Sequence, residues 1–247
     1  MTANALAAIE RLRRQQPPPP PRLAAPSTRE LTLRLEALLQ RRAERGGPAS
    51  TSQAPAGTAR MTPEQYEAAE LAVERSGVPA RYRQAVARTG EEAEAMASLR
   101  ELVKAGSGAI VLLCGAPGTG KTHMACELAL ERARAGTSVS YTRAWDLMGK
   151  LKATFDGKGS ETDVLNRFVS AGVLVVDEWW RRGTSDWARD TLWNLLDRRY
   201  AELRPTVIVS NGTEADLAAT FDAASWDRIN EDGGVLECGW QSHRVRV

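Results

Sequence analysis

Gly115-Ala116-Pro117-Gly118-Thr119-Gly120-Lys121-Thr122 meets the pattern G-x-x-x-x-G-K-[ST] at every fixed position, and it constrains everything placed around it. Before it, Ala109 to Cys114 is an apolar run of strand length; after it, Met124, Ala125, Leu128 and Ala129 recur at helical spacing. A strand that enters a glycine-rich turn and opens a helix lets backbone N–H groups close round a polyphosphate, with the positive helix end adding to the attraction. Residues Gly115 to Thr122 are therefore expected to bind a nucleotide polyphosphate, Lys121 reaching the β- and γ-phosphates and Thr122 holding Mg²⁺. His123, next in the chain, reads as a helix-surface residue at the edge of this nucleotide site and not as a metal ligand.

A second motif completes the chemistry. Val173-Leu174-Val175-Val176-Asp177-Glu178 is an apolar strand that ends in two carboxylates. At the C-terminal edge of a parallel strand beside the loop, Asp177 can join the Mg²⁺ shell and Glu178 can orient and polarise an attacking water. Further strands are expected at Ser138 to Tyr141, Thr206 to Asn211 and Val235 to Trp240, with helices over 144–155 and 161–170 and a loop carrying Gly157, Lys158 and Gly159 between those helices. Such alternation predicts an α/β fold with a parallel sheet flanked by helices. Asn211 stands where a side-chain amide could sense the γ-phosphate, and it equally suits a turn before Gly212.

Composition narrows the class. Cys114, Cys126 and Cys238 are far apart, and two histidines cannot complete a zinc set with them, which suits a reducing compartment. Neither a secretory h-region nor an apolar run of membrane-spanning length is present, so a cytoplasmic protein with no membrane partner is expected. A net charge of +2 leaves any nucleic-acid surface to be local.

The first 60 residues have another character. Leu6, Ile9 and Leu12 suggest a short amphipathic helix ended by Pro17 to Pro21, and those prolines form a stiff spacer. Ser27 and Glu30 form a capping box for a helix carrying Leu31, Leu35, Leu38 and Leu39 on one face. That stripe either packs back on the main domain or docks on a partner. Gly46 to Ala59 reads as a flexible linker. Residues 1–60 are thus expected to be a helical, partly disordered partner-binding extension, 61–107 a helical lead-in and 108–247 the ATPase core. In the lead-in, Thr62-Pro63-Glu64-Gln65 starts a helix that Gly77 stops, another helix follows Val78 to Arg83, and Thr89 to Glu92 caps a third reaching toward Gly106.

In this order over about residues 78–247, GAPGTGKTH, VLVVDE, LDRRYAELRPTVIVSN, WDRI and the terminal W-x-S-x-R-x-R-V resemble the DnaC-type replicative helicase loaders. These are AAA+ ATPases of the ASCE P-loop class without a C-terminal lid, and are related to the IstB-type transposition helpers. The resemblance implies that Asn211 is sensor 1 and that Arg228 is an arginine finger acting across self-associated subunits. It also implies that the helix and loop 144–158 touch single-stranded DNA and that a DnaB-type replicative helicase is the partner. A transposition helper or a nucleotide-gated adaptor with negligible turnover is the alternative.

Lys150, Lys152 and Lys158 interleave with Trp145 and Phe155, and Arg181 and Arg182 adjoin Trp179 and Trp180. Such mixtures suit base stacking with phosphate neutralisation, although lysines also line solvated helix faces and the aromatic residues could be core. Trp187, Trp193, Trp226 and Trp240 read as packing residues.

Overall fold

The computed structural model describes Gln40, which is helical and exposed, and residues 62–104, 107–155, 157, 159–179 and 185–243. The expected elements of the N-terminal extension, Lys158, and Trp180, Arg181 and Arg182 lie outside the described residues.

Among the described residues, five strands form one sheet in the order β2-β3-β4-β1-β5, every neighbouring pair parallel: β1 Ile110–Cys114, β2 Val139–Arg143, β3 Val173–Asp177, β4 Thr206–Val209 and β5 Gly234–Glu237. Alternate side chains of β1 feed two cores. Val111 and Leu113 join Val73, Leu99 and Leu128 on one face; Ile110, Leu112 and Cys114 join Leu147, Phe168, Leu195 and Ile229 on the other. Helices α1 (Pro63–Arg75), α2 (Glu91–Leu102) and α3 (Lys121–Arg134) supply the first face. Helices α4 (Ala144–Phe155), α5 (Glu161–Val169), α6 (Asp186–Ala201), α7 (Glu214–Ala218) and α8 (Ala223–Asp232) supply the second. Burial on both faces explains why β1, β3 and β4 read as continuous apolar runs.

Because the strands are parallel, their C-terminal ends share one edge, the usual place for a ligand crevice in such sheets. The order matters as well. With β4 between β1 and β3, Asn211 follows the strand that separates the phosphate loop from Asp177 and Glu178.

One polar side chain fixes that central strand. Arg199 of α6 is fully buried and donates through Nη1 to the carbonyls of Phe168, Val169 and Ala171, through Nη2 to that of Pro205, and through Nε to Thr206 Oγ1. It thereby satisfies carbonyls left over at the end of α5 and ties them to the start of β4. Burial lowers its pKa to about 9, still cationic at neutral pH.

Three expectations are corrected. No helix follows Val78 to Arg83 directly: the chain makes a single 3-10 turn, Ala80–Tyr82, and stays irregular until α2. Gly90, and not Thr89, is the N-cap of α2, because its φ of 55° and ψ of −136° turn the chain into the helix through a conformation that glycine tolerates and threonine does not. Finally, β2 begins at Val139 and runs two residues past Tyr141, pairing Arg143 with Asp177. The helix cap at Thr62 is as expected, with the Thr62–Gln65 capping box formed in both directions.

Candidate nucleotide site

The phosphate loop leaves β1 at Gly115, whose φ is 124° and whose missing Cβ would lie 2.5 Å from the carbonyl oxygen of Cys238. Any side chain there would collide with backbone. Lys121, at the start of α3, is buried and donates from Nζ to the carbonyls of Gly115 (2.9 Å) and Ala116 (2.7 Å) and to Thr119 Oγ1 (3.3 Å). The ammonium thus already sits in the bowl of the loop, where phosphate oxygens could take the place of the carbonyls.

Asp177 is buried at the end of β3. Its Oδ1 accepts from Thr122 Oγ1 at 3.3 Å and from the Glu178 N–H at 2.8 Å, and its Oδ2 accepts from the Tyr141 hydroxyl at 2.7 Å. Thr122 and Asp177 therefore converge two oxygens on one side of the loop. No cluster of three metal-ligating His, Cys, Asp or Glu residues occurs among the described residues. This donor set suits Mg²⁺, which takes one or two protein oxygens and completes its octahedron with phosphates and water. Glu178 is exposed and has φ 53°, a backbone conformation rare for a side chain of this size. Its charge raises the pKa of Arg143, with the Tyr141 hydrogen bond adding to the shift.

A cavity of about 470 Å³ brings these groups together. Pro117 to His123 line it with Asp177, Glu178, Ser210 and Asn211, so every expected motif residue from Pro117 onward meets there except Arg228. Gly115 and Ala116 contribute their carbonyls to Lys121 from behind. Arg81, Tyr82, Val86, Arg88 and Glu92 of the lead-in, Tyr141 and Arg143 of β2, and His243 also line it. No local motif marks them as site residues, and for Arg143 the signal lies in the register of β2, which the sequence alone does not set. His123 packs edge-on against Tyr82, ring centroids 5.0 Å apart. Burial lowers its pKa, as does the charge of Arg88. Burial also pushes the thiols of Cys114, Cys126 and Cys238 up, the last to about 12, so none is poised as a nucleophile.

Arg228, on α8, lies outside the cavity of its own chain: it pairs with Asp197 of α6 and stands 5.7 Å from the centroid of the Tyr200 ring. Of the DNA candidates, Lys150 and Lys152 are exposed, and Trp145 and Phe155 are 67% and 61% exposed, so these two aromatic side chains are not core. Phe155 touches Trp187 edge-on at 5.2 Å. Trp179 is the opposite case, buried and stacked on Phe221 at 5.8 Å, and it offers no surface to a base. Trp187, Trp193, Trp226 and Trp240 pack against the two cores.

A parallel sheet with a strand between the phosphate loop and the paired carboxylates, and helices on both faces, is the AAA+ type of P-loop fold. More narrowly, the chain belongs to the family of IstB-like ATP binding proteins, whose model matches residues 57–247. It is similar to the replicative helicase loader DnaC of Escherichia coli strain K12, 29% identical over 157 residues, which is 62% of this chain and 64% of that protein. The chain thus spans less than two thirds of that relative. In fold it resembles the crystal structure of the DnaC helicase loader, with a TM-score of 0.56 at 24% identity over 64% of this chain and 99% of that one. It likewise resembles the replication initiator DnaA bound to AMPPCP and single-stranded DNA, with a TM-score of 0.54 at 20% identity over 65% of this chain and 50% of that one. Among the described residues no helix is long and apolar enough to cross a membrane.

Proposed function

We propose that this protein hydrolyses ATP and uses the cycle to place a DnaB-type replicative helicase on single-stranded DNA. Lys121 and the loop N–H groups hold the β- and γ-phosphates, and Glu178 orients and polarises the attacking water. Thr122 and Asp177 would hold Mg²⁺, which when bound would supply neutralisation of phosphate charge. Asn211 reaches the γ-phosphate from the end of β4. Arg228, outside its own cavity, serves the site of a neighbouring subunit.

The observation that carries this reading is the course of the chain after β2. Arg143 lines the nucleotide cavity, and the next residue begins α4, whose surface presents Trp145, Phe155, Lys150 and Lys152. Stacking platforms beside cations suit single strands, since every base has a face to stack. Two residues along the chain take it from Arg143 in the cavity wall to Trp145 on that surface. The relatives named as helicase loaders support the same direction. The test is elution of the full chain with a DnaB-type hexamer and labelled single-stranded DNA, with ATP and without. ATP-dependent transfer of the helicase to DNA is expected; co-elution with no transfer to DNA would overturn loading.

The match to the IstB-like model supports a second reading, a transposition helper acting on duplex DNA. Preference for duplex over single strands in the same titration would select it.

A further inference from the structure

The W-x-S-x-R-x-R-V signature at residues 240–247 has no task in the function above, yet its first residues lie across the phosphate loop. Leaving β5, the chain crosses the start of the loop in backbone contact, the Cys238 carbonyl against Gly115. Trp240 Nε1 then donates to the carbonyl of Thr119 at 2.8 Å, and the His243 N–H donates to the carbonyl of Gly118 at 3.0 Å. The His243 ring covers Gly120, with atoms 3.6 and 3.7 Å from where a Cβ would stand, and its Nε2 meets Glu92 Oε1 at 2.9 Å.

In a planar trans peptide the carbonyl of one residue and the N–H of the next point in opposite directions. Drawing the Thr119 carbonyl toward Trp240 therefore turns the Gly120 N–H the other way, and drawing the Gly118 carbonyl toward His243 turns the Thr119 N–H the other way. Both N–H groups then face away from the strap. The opposite side is the bowl, where Lys121 Nζ sits between the carbonyls of Gly115 and Ala116. Glycine at 118 and 120, with φ of 92° and 84°, makes these peptides easy to turn, and the strap holds their carbonyls while Thr119 Oγ1, bonded to the Ala116 carbonyl, holds only the side chain between them.

The geometry points to residues 240–243 as a positioning strap that presets two consecutive loop peptides for a diphosphate. Trp240 stands outside the cavity lining and acts through the amide of Gly120, whereas His243, which also lines the cavity, acts on the amide of Thr119 through its backbone N–H. The inference rests on the nucleotide reading of the site and adds to it the reason the loop is preorganised. One neutral hydrogen bond to each carbonyl corresponds to a loss of about three- to tenfold in affinity when removed.

The test uses the full chain titrated calorimetrically with ADP and with ATP, beside its melting temperature without ligand. W240F keeps the ring but loses the indole donor, and it is expected to weaken ADP and ATP by the same factor, about three- to tenfold, with the ligand-free melting temperature within a degree or two of wild type. H243P removes the backbone donor and H243A retains it, so H243P is expected to bind both nucleotides more weakly than H243A by a similar factor. Should W240F also melt early, the H243P and H243A pair still decides the matter. Equal affinities within that pair, or a W240F loss confined to ATP, would overturn the strap. Wild-type protein that binds neither nucleotide would instead overturn the site on which it rests.

Discussion

Tyr141 donates its hydroxyl to Asp177 Oδ2 at 2.7 Å, leaving Oδ1 to face Thr122. Burial raises the pKa of that phenol, with the charge of Asp177 adding to the shift, so it remains a donor throughout the physiological range. Tyr141→Phe should therefore leave the fold intact and disorient the carboxylate. Partners that orient metal-binding side chains are typically worth about 10–100-fold in metal affinity. Titrating Mg²⁺ into a fixed nucleotide complex should show a need for about tenfold more metal, with metal-free ADP affinity unchanged. An identical Mg²⁺ curve would mean that Tyr141 only fills space.

Lys121 and Glu178 should fail in different ways. Lys121→Ala removes a buried ammonium from the bowl and should abolish nucleotide binding, whereas Glu178→Gln keeps shape and binding and stops turnover. A fluorescent nucleotide and a phosphate-release assay separate the two. Equal loss of affinity in both variants would show the roles to be wrongly divided.

The ends of the two motifs were legible in the sequence because each is local: glycines, a lysine and paired acids follow apolar strands in unbroken runs. What surrounds them was not, since it depends on long-range contacts. Arg143 joins the site through a strand two residues longer than its apolar pattern suggests, and His243 through a tertiary contact with Gly118. Helix α6 carries local signals too: Ser185 caps it, and Ala188, Leu192, Leu195 and Leu196 recur at helical spacing. Its stripe continues into Arg199, an arginine whose core position becomes intelligible only once the carbonyls it serves are known.

His123 gives the folding stability a dependence on pH. Its folded-state pKa is below the ordinary 6.5, chiefly through burial, with Arg88, Arg81 and His243 opposing its charge and Glu127 favouring it. As pH falls through about 6.5 the unfolded chain takes up a proton that the folded one resists, so stability is present above that value and declines below it. His123→Asn, which cannot titrate, should flatten the fall in melting temperature between pH 7 and pH 5. The same slope in both proteins would assign the acid sensitivity to other groups.

For DNA, Trp145→Ala should weaken single-strand binding by about 1–3 kcal/mol if the indole stacks on a base, and should do so without changing the salt slope. Lys150→Ala and Lys152→Ala should lower that slope by about one each per lost phosphate contact. Lys150 also lies 5.4 Å from the centroid of the Phe168 ring, so a small stability loss should accompany its removal alone. Filter binding over a range of salt distinguishes these outcomes, and unchanged slopes with both lysines removed would return α4 to an ordinary solvated surface.

Arg228 poses the sharpest test, because its contact with Asp197 admits a purely structural role. The pair is about half exposed, and such pairs contribute about 0–1 kcal/mol, so neither Arg228→Ala nor Asp197→Asn should unfold the protein. If the guanidinium reaches the γ-phosphate of a neighbouring subunit, Arg228→Ala should lose most turnover, as fingers supplied in trans are worth about 10³–10⁵ in GTPases. Asp197→Asn should then stay active, since it retains the cation and frees it from its own chain. Mixing decides further. Arg228→Ala keeps an intact phosphate loop and Lys121→Ala an intact finger, so each alone should be inactive while their mixture regains part of the activity at interfaces that combine one of each. Turnover should also rise with protein concentration in the wild type. If Arg228 merely anchors α8 to α6, Asp197→Asn and Arg228→Ala will behave alike and the mixture will remain as inactive as its components.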